Sequence, residues 1–521
     1  MDGVFVLTLE GLPPAPSPMA SLTVASTPGL TTRPDDTPAD AVFEARLIDP
    51  GNLERHLFSL GATRGRSQVG FGAITLNNAD GGLDDVSTWA CDGRALVLRR
   101  GPAGAAYPGA FPVLWRGTVE QVEADWRRMT IRLRDRQAEV AEKQLQPLSF
   151  AGTNALPDGI EGTPEDLKGR AKPLVWGRVL NLALPMVNTS KLICQISTAP
   201  VTALSAVYDK GAALTLATER ATLVDLLAAT PAPGTVDYVL SDGVGAFLRL
   251  GSPPVGTVTV DVAAGVAGER SAASVLRALL LGPGGLTAAD LDSPSFDALA
   301  ATAPAEVGLA IDSDSATVGD ALDLVAGSIG AWWSVDRLGR FRVGRLVDPA
   351  GLPPKLTVTD REVLDRGGGF ERIASTDVGG GLPVATVRLG YQRNWSPMVE
   401  SSVAGIALPR LVWLREELRF HVVDRPAVRA RHPLARDLAV TTVLLEDADA
   451  LAEATRLADL YGIKRDVLSI AVPADRVTGV DPGDAIRVVL PRFGLAAGKT
   501  FLVLGMTEEF GRGIATLHLW G

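Results

Sequence analysis

The most informative part of the sequence is its last part, which contains the runs AIRVVL (485–490), TFLVLG (500–505) and IATLHLW (514–520) in succession. An Asp-Pro-Gly-Asp turn at 481–484 precedes these runs, and residues 491–499, which include Pro and Gly, separate the first run from the second. Runs of apolar and β-branched residues between turn signals predict strands. We expect one core face on these strands, made by alternating side chains: Phe501, Val503, Leu517, Leu519 and Trp520.

Composition points to a turn-rich β protein. The 521 residues include 55 Gly and 35 Pro but only 4 His, 5 Tyr and 6 Met, so the residues that usually perform acid–base chemistry are scarce. The length favours three or four domains. Two cysteines are too few for a disulfide framework, which fits folding in a reducing cytoplasm. No apolar run is long enough to span a bilayer, so we expect no stable membrane insertion.

Turn signals and periodicity divide the chain into four parts. Residues 1–150 show short alternating strands and a helix at 137–144, typical of a β-barrel. Residues 151–268 begin with a Gly/Pro/Asn-rich linker at 150–171 and continue as a second β-rich domain. We expect residues 269–383 to form an acidic α/β domain with a Trp hairpin, and residues 384–521 to form a C-terminal β-rich domain with one amphipathic helix.

Three segments have helical spacing: 271–281, 317–327 and the amphipathic 447–461, which we expect to stop at Gly462 in the left-handed conformation. Around the first two, residues 286–325 hold seven Asp and one Glu and no Lys or Arg. This acidic run is either a solvated face with helix N-terminal charges or a docking face for a basic partner.

A resemblance emerges from the order of several motifs. The C-terminal passage 485–521, GYQRNW (390–395), AWWSVDRLGRF (331–341) and KPLVWGRV (172–179) succeed one another as in tail-tip and baseplate hub proteins of long-tailed, siphovirus-like bacteriophages and related gene-transfer particles. The chain resembles this family from about residue 77 to its end. Whether the source is a phage, a prophage or a gene-transfer particle stays open.

The resemblance implies a structural protein with no enzyme activity. Hub proteins of this kind assemble as homotrimers in the virion tail tip, each chain giving two barrel-like domains of the tail-tube type, with peripheral domains outside. The resemblance implies that residues 384–521 complete the second of these barrels. Their partners would be the distal tail tube protein, the tape-measure protein and other tip and fibre proteins. DNA would pass during genome ejection without sequence recognition. The predicted fold is therefore mainly β with α+β insertions.

Motif searches predict no catalytic, cofactor-binding or metal site. The Asn/Asp-rich stretch 77–85 would place Leu76 at the first ligand position of an EF-hand, which excludes that loop, and we expect a hairpin turn with Asx caps. The four histidines lack the spacing of a metal pair, and His518 is expected on a strand beside Trp520.

Two groups of residues remain as interaction candidates. Arg127, Arg128, Arg132, Arg134 and Arg136 place alternate guanidinium groups along a strand, either paired with carboxylates or forming a subunit contact or channel wall. Trp332, Trp333 and Trp395 are candidates for stacking on sugars, unless the hairpin buries them. These residues keep two other functions open: a receptor- or carbohydrate-binding tail protein, and a cell-wall hydrolase.

Overall fold

The protein is mainly β, as predicted, with strands in 40% of the chain and helices in 17%. The computed structural model describes residues 3–59, 61–155, 157–311, 314–364, 368–374, 381–403 and 405–521. Within these ranges the strands form two large sheets and three small ones, which makes the molecule multidomain.

The first unit is a closed barrel of seven strands. Its strands run in the order β2-β1-β7-β8-β9-β6-β5, and parallel pairing of β5 with β2 closes the ring. Alternate side chains such as Leu98, Trp115 and Ile131 point inward and are buried, as the two-residue period of a strand requires. The elements of this part are β1 (Val4–Gly11), β2 (Ala20–Ser26), β3 (Leu30–Thr31), β4 (Val42–Phe43), β5 (Ala45–His56), β6 (Phe71–Asn77), β7 (Ala95–Gly101), β8 (Val113–Ala124), β9 (Arg128–Arg134) and α1 (Gln137–Ala141).

The second large sheet has nine strands in the order β11-β12-β16-β15-β14-β13-β17-β10-β18. The predicted linker packs against it, because Phe150 and Leu167 are 2% and 4% exposed in a cluster with Phe247. The elements are β10 (Val175–Ala183), β11 (Met186–Asn188), β12 (Ile193–Ser197), β13 (Ala203–Asp209), β14 (Ala212–Glu219), α2 (Leu223–Ala228), β15 (Thr235–Asp242), β16 (Gly245–Leu250) and β17 (Val258–Ala263).

The part of the chain at 269–383 contains both helices predicted there. Thr317 caps the second of them by accepting a hydrogen bond from the Asp320 backbone N–H at 3.1 Å. The tryptophan hairpin follows and packs into the core between the helices. The elements are α3 (Ala272–Leu281), α4 (Ser293–Thr302), β18 (Gly308–Ala310), α5 (Val318–Gly327), β19 (Ala331–Val335) and β20 (Phe341–Arg345).

A three-stranded sheet, β24-β23-β25, lies under the predicted amphipathic helix α8. The expected left-handed stop at Gly462 is wrong: its φ is −68°, and its N–H donates to the Ala458 carbonyl at 2.9 Å, so the backbone continues the helical turn. The elements are β21 (Leu356–Thr359), β22 (Phe370–Ile373), β23 (Val384–Tyr391), α6 (Leu408–Arg415), β24 (Arg419–Asp424), α7 (Pro426–Arg431), β25 (Arg436–Thr441) and α8 (Asp447–Tyr461).

The C-terminal strands build a half-barrel in the order β21-β27-β28-β29-β26-β22. They are β26 (Val467–Pro473), β27 (Ala485–Val489), β28 (Lys499–Glu509) and β29 (Ile514–Trp520). Leu517 and Leu519 are buried in its core as predicted. Trp520 is buried on the other side, with the helices, because adjacent residues of a strand point to opposite faces.

The barrel and the half-barrel share one continuous sheet. The end of β5 pairs antiparallel with β28, Asn52 opposite Glu509 and His56 opposite Gly505. A Cβ atom at Gly505 would lie 1.8 Å from His56 Nδ1, so only glycine fits there. Two strands that precede residue 384 in the chain, β21 and β22, join the half-barrel. The next three strands, β23, β24 and β25, form a separate sheet. The four predicted domain boundaries stay a prediction.

The loop 77–85 has the predicted Asx caps but not the predicted hairpin. Asn78 Oδ1 accepts from the Leu83 N–H at 2.8 Å, and Asp80 Oδ1 accepts from the Gly82 N–H at 3.1 Å. The chain then enters a 3-10 helix at Asp84–Thr88, since barrel closure gives β6 the neighbours β5 and β9 rather than β7.

Candidate interaction surface

The five candidate arginines lie along β9 and its two ends. Met129, Ile131 and Leu133 of this strand are in the barrel core, so the alternate residues Arg128 and Arg132 point outward. Arg136 lies beyond the strand, which ends at Arg134, and stands at the N-terminus of α1. The expectation that Arg136 shares the strand face is therefore wrong, because the backbone turns helical at that residue.

Three of these arginines are paired with carboxylates of the same chain. Arg132 Nε lies 2.8 Å from Glu123 Oε1 on the neighbouring strand. Arg134 contacts Glu142 and, at 3.8 Å, Glu120. Arg136 binds Asp290 at 2.8 Å in the acidic segment. The pairs of Arg132 and Arg134 join neighbouring parts of the N-terminal unit, and the pair of Arg136 joins this unit to the acidic segment.

The other two sit at the tip of the β8–β9 hairpin beside an exposed tryptophan. Trp126 is 92% exposed, and the guanidinium groups of Arg127 and Arg128 have no ion-pair partner among the described residues. We call residues 125–128 the Trp126 tip. A bare indole next to two free guanidinium groups has the composition of a binding hot spot.

The Trp126 tip is held rigidly. Asp125 Oδ1 accepts the backbone N–H groups of Arg127 and Arg128 at 2.7 and 2.8 Å, and these bonds lower the pKa of Asp125. The Asn78 N–H donates to the Arg127 carbonyl at 2.7 Å. The sequence reasoning singled out the arginines but missed Trp126; the signal was a tryptophan placed in the turn between two strands.

The candidate sugar-stacking tryptophans are not open to solvent. Trp332 and Trp333 are 4% and 2% exposed, and Trp333 Nε1 donates to Asp323 Oδ1 at 2.7 Å. Trp395 is half-buried, with the Arg393 guanidinium 4.2 Å from its ring centroid. A sugar would have to open the hairpin or displace Arg393 to stack on these rings.

A buried ion cluster lies where the two barrel units meet. Arg55 of β5 contacts Asp481 at 2.5 Å and Glu508 of β28 at 3.0 Å, and Arg337 of the tryptophan hairpin lies 3.4 and 3.6 Å from the same two carboxylates. Burial alone would raise the pKa of Asp481, but Arg55 and Arg337 lower it to about 2. Two positive and two negative groups thus balance inside the junction.

Two histidines pack beside this cluster. The rings of His56 and His518 have centroids 5.3 Å apart, and His56 Nε2 lies 2.9 Å from Glu54. Burial, together with the neighbouring His56, lowers the pKa of His518 to about 4. His518 lies on β29 as predicted, and burial also lowers the pKa of His56.

Three further features of the described ranges concern metal ligands, long apolar helices and thiols. No group of three or more His, Cys, Asp or Glu side chains there is placed to hold a metal ion. None of the helices in this part of the chain is both long and apolar enough to cross a membrane. The two cysteines, Cys91 and Cys194, are buried and not bonded to each other.

The acidic segment is partly neutralised from within the chain. Asp297 binds Arg277 at 2.8 Å, Asp320 binds Arg66 at 2.6 Å, and Glu306 lies 3.7 Å from Arg270. Asp312 lies outside the described residues. A docking role for this segment therefore depends on carboxylates that stay exposed, such as Asp297 with 70% of its side chain accessible.

Comparisons with known proteins find similar solved structures only. No protein-family model and no curated protein matches the chain. The chain is similar to a tail protein from Neisseria meningitidis MC58, at 11% identity over 90% of this chain and 91% of that one, with a TM-score of 0.40. It is similar to a chain of the native gene transfer agent virion, at 15% identity over 68% of this chain and 85% of that one, with a TM-score of 0.43.

A third similar structure is the 43 kDa tail protein of prophage MuSo2 from Shewanella oneidensis, at 9% identity over 99% of this chain and 98% of that one, with a TM-score of 0.37. At this level of similarity, the function has to be argued from the residues of this chain.

Proposed function

We propose that the protein is a structural subunit of a phage tail tip, in which three copies form a hub ring. The ring joins the hexameric tail tube to the tip and fibres and surrounds the DNA exit channel. The observation that carries this proposal is the single sheet in which the N-terminal barrel and the C-terminal half-barrel stand side by side through β5 and β28.

The symmetry of a tail explains why one chain would need two such units. A threefold ring that caps a sixfold tube must present six similar edges, and two barrel units in each of three chains provide them. Each unit here has one parallel strand pair, β2 with β5 and β21 with β27, among antiparallel neighbours. This common feature supports a role as paired, tube-like elements.

In this proposal, the charged residues described above have structural roles. The buried cluster of Arg55, Arg337, Asp481 and Glu508 fixes the two units against each other. Arg127 and Arg128, for which the described ranges offer no ion-pair partner, provide contact charge on an otherwise acidic chain of net charge −10. DNA that passes through the channel needs no base readout.

Particles made by the source strain test this proposal. An in-frame deletion of the gene is expected to leave particles without finished tails, and antibodies against the chain should label the distal tail end. Labelling along the tube or on the head would contradict a tip location. Binding of the purified chain to a glycan array, or clearing of a peptidoglycan suspension, would instead favour the receptor-binding or hydrolase alternatives.

A further inference from the structure

A threefold ring needs two different contact patches on each chain. An isologous patch, which contacts itself, closes only a dimer, whereas a ring forms when one patch of each copy meets a different patch of the next. If the protein is a trimeric hub, as proposed above, its surface should therefore carry a projecting element and a matching recess.

The Trp126 tip is the projecting element. Its indole is 92% exposed, and its turn is fixed by two backbone hydrogen bonds to Asp125 and one to Asn78. Because the tip is already ordered, binding would cost little conformational entropy. Burying one Trp ring removes a large apolar area from water.

A groove between α3 and α4 is the matching recess. It has a volume of about 440 Å³, a size typical of ligand pockets, and Trp176 forms one side of it. Small side chains, Ala273 and Ala300, leave its walls open, and the buried Phe296 lies among its lining residues. We call this recess the α3–α4 groove.

Charge also matches between the two patches. Glu269 lines the groove and has no ion-pair partner in the described part of the chain. Asp297 lines it too, exposed over 70% of its side chain, and its bond to Arg277 at 2.8 Å neutralises the one lining arginine. The groove is therefore net negative, and the Trp126 tip brings Arg127 and Arg128.

We propose that the Trp126 tip of one copy enters the α3–α4 groove of the next copy in the ring. The indole packs against Trp176, and the two arginines of the tip face Glu269 and Asp297. Repeating this head-to-tail contact three times closes the ring.

Disulfide trapping in assembled particles tests the contact. With Trp126→Cys and Ala300→Cys on the same chain, mild oxidation should give covalent dimers and trimers on a non-reducing gel, and reduction should return monomers. Each single variant should give none, and the native Cys91 and Cys194 stay out of reach because they are buried. The matched control combines Ala300→Cys with Leu434→Cys, which replaces another exposed apolar residue, 76% accessible.

Charge reversal gives an independent readout. Arg127→Glu with Arg128→Glu should lower the yield of tailed particles at least tenfold without changing the melting temperature of the purified chain. Adding Glu269→Lys should recover a measurable part of that yield.

The outcomes separate this contact from the hub proposal itself. Three copies at the tail end without cross-links from the double variant would overturn the tip-to-groove contact and leave the hub intact. Cross-links from the Trp126 tip to a tail tube protein would also overturn it. A tail end without three copies would remove the hub proposal on which the contact rests.

Discussion

Loss of the Glu508 carboxylate should lower the free energy of unfolding strongly, although the substitution itself is small. Glu508 is 1% exposed and lies between Arg55 and Arg337, so its carboxylate compensates two buried guanidinium groups. Removing one partner of a buried ion pair costs about 3–5 kcal/mol, since it leaves an uncompensated charge in the interior.

We therefore expect Glu508→Gln to lower the free energy of unfolding by roughly 3 kcal/mol in urea denaturation. The adjacent Glu509 is a matched control, because 34% of its side chain is exposed and its partner Arg512 is 72% exposed. Glu509→Gln should change the free energy of unfolding by less than about 1 kcal/mol. Equal effects of the two substitutions would show that the buried cluster does not hold the two units together.

His518 gives the junction a dependence on pH. Its folded pKa of about 4 lies below the ordinary value of 6.5, so the unfolded chain binds more protons between these two values. The free energy of unfolding should therefore fall as the pH drops from 6.5 to 4, by roughly 3 kcal/mol from this group.

His518→Gln should flatten the loss of stability across that window, measured by denaturant melts at pH 6.5 and pH 4. His432→Gln, outside both barrel units, should keep the wild-type slope. An unchanged slope in His518→Gln would mean that this histidine takes up its proton equally in the folded and unfolded states.

At the scale of elements, β29 is the strand on which the half-barrel depends. It pairs with β26 on one side and β28 on the other, and Leu517 and Leu519 are fully buried. Deleting residues 513–521 should uncover two strand edges and give insoluble protein. The milder Leu519→Ala should stay soluble and lose about 2–5 kcal/mol of unfolding free energy. A soluble, cooperatively melting deletion would show that β29 is peripheral.

Local patterns in the sequence predicted the elements with strong periodicity. The helix α8 has the predicted bounds, and the alternating runs at 485–490, 500–505 and 514–520 are strands. Periodicity reports which residues face a core, so it also identified the burial of Leu517 and Leu519.

Long-range pairing could not be predicted in the same way. The contact between β5 and β28 joins residues more than 400 positions apart, and the sequence of neither strand indicates which strand it pairs with. The pairing of β1 with β7, which places Leu7 opposite Leu98, is also between segments distant in the sequence. Tertiary context also overrode the expected stop at Gly462 and the strand position of Arg136.

The candidate site was also predictable from the sequence only in part. The arginine pattern was visible in the sequence. Only the structure shows that Arg132, Arg134 and Arg136 are paired within the chain, and that Arg127 and Arg128 have no ion-pair partner in the part of the chain that the structure describes. Ion pairs of this kind join distant segments, as Arg136 does with Asp290, and leave no mark in the local sequence.

At the scale of the whole molecule, two barrel units are fused through one sheet. In a monomer, a second barrel unit fixed to the first by a buried ion cluster has no evident role. In a ring of three chains that meets a sixfold tube, two units in each chain provide the six edges that the tube requires. Because isolated chains can stay monomeric until they meet the rest of the tail, the test belongs on assembled particles.

The most direct test is a cryo-electron microscopy reconstruction of the distal tail end. It should show three copies of this chain around the tail axis, with six barrel units facing the last ring of the tail tube. Six copies, a single copy, or three copies placed off the axis as peripheral spikes would contradict the hub.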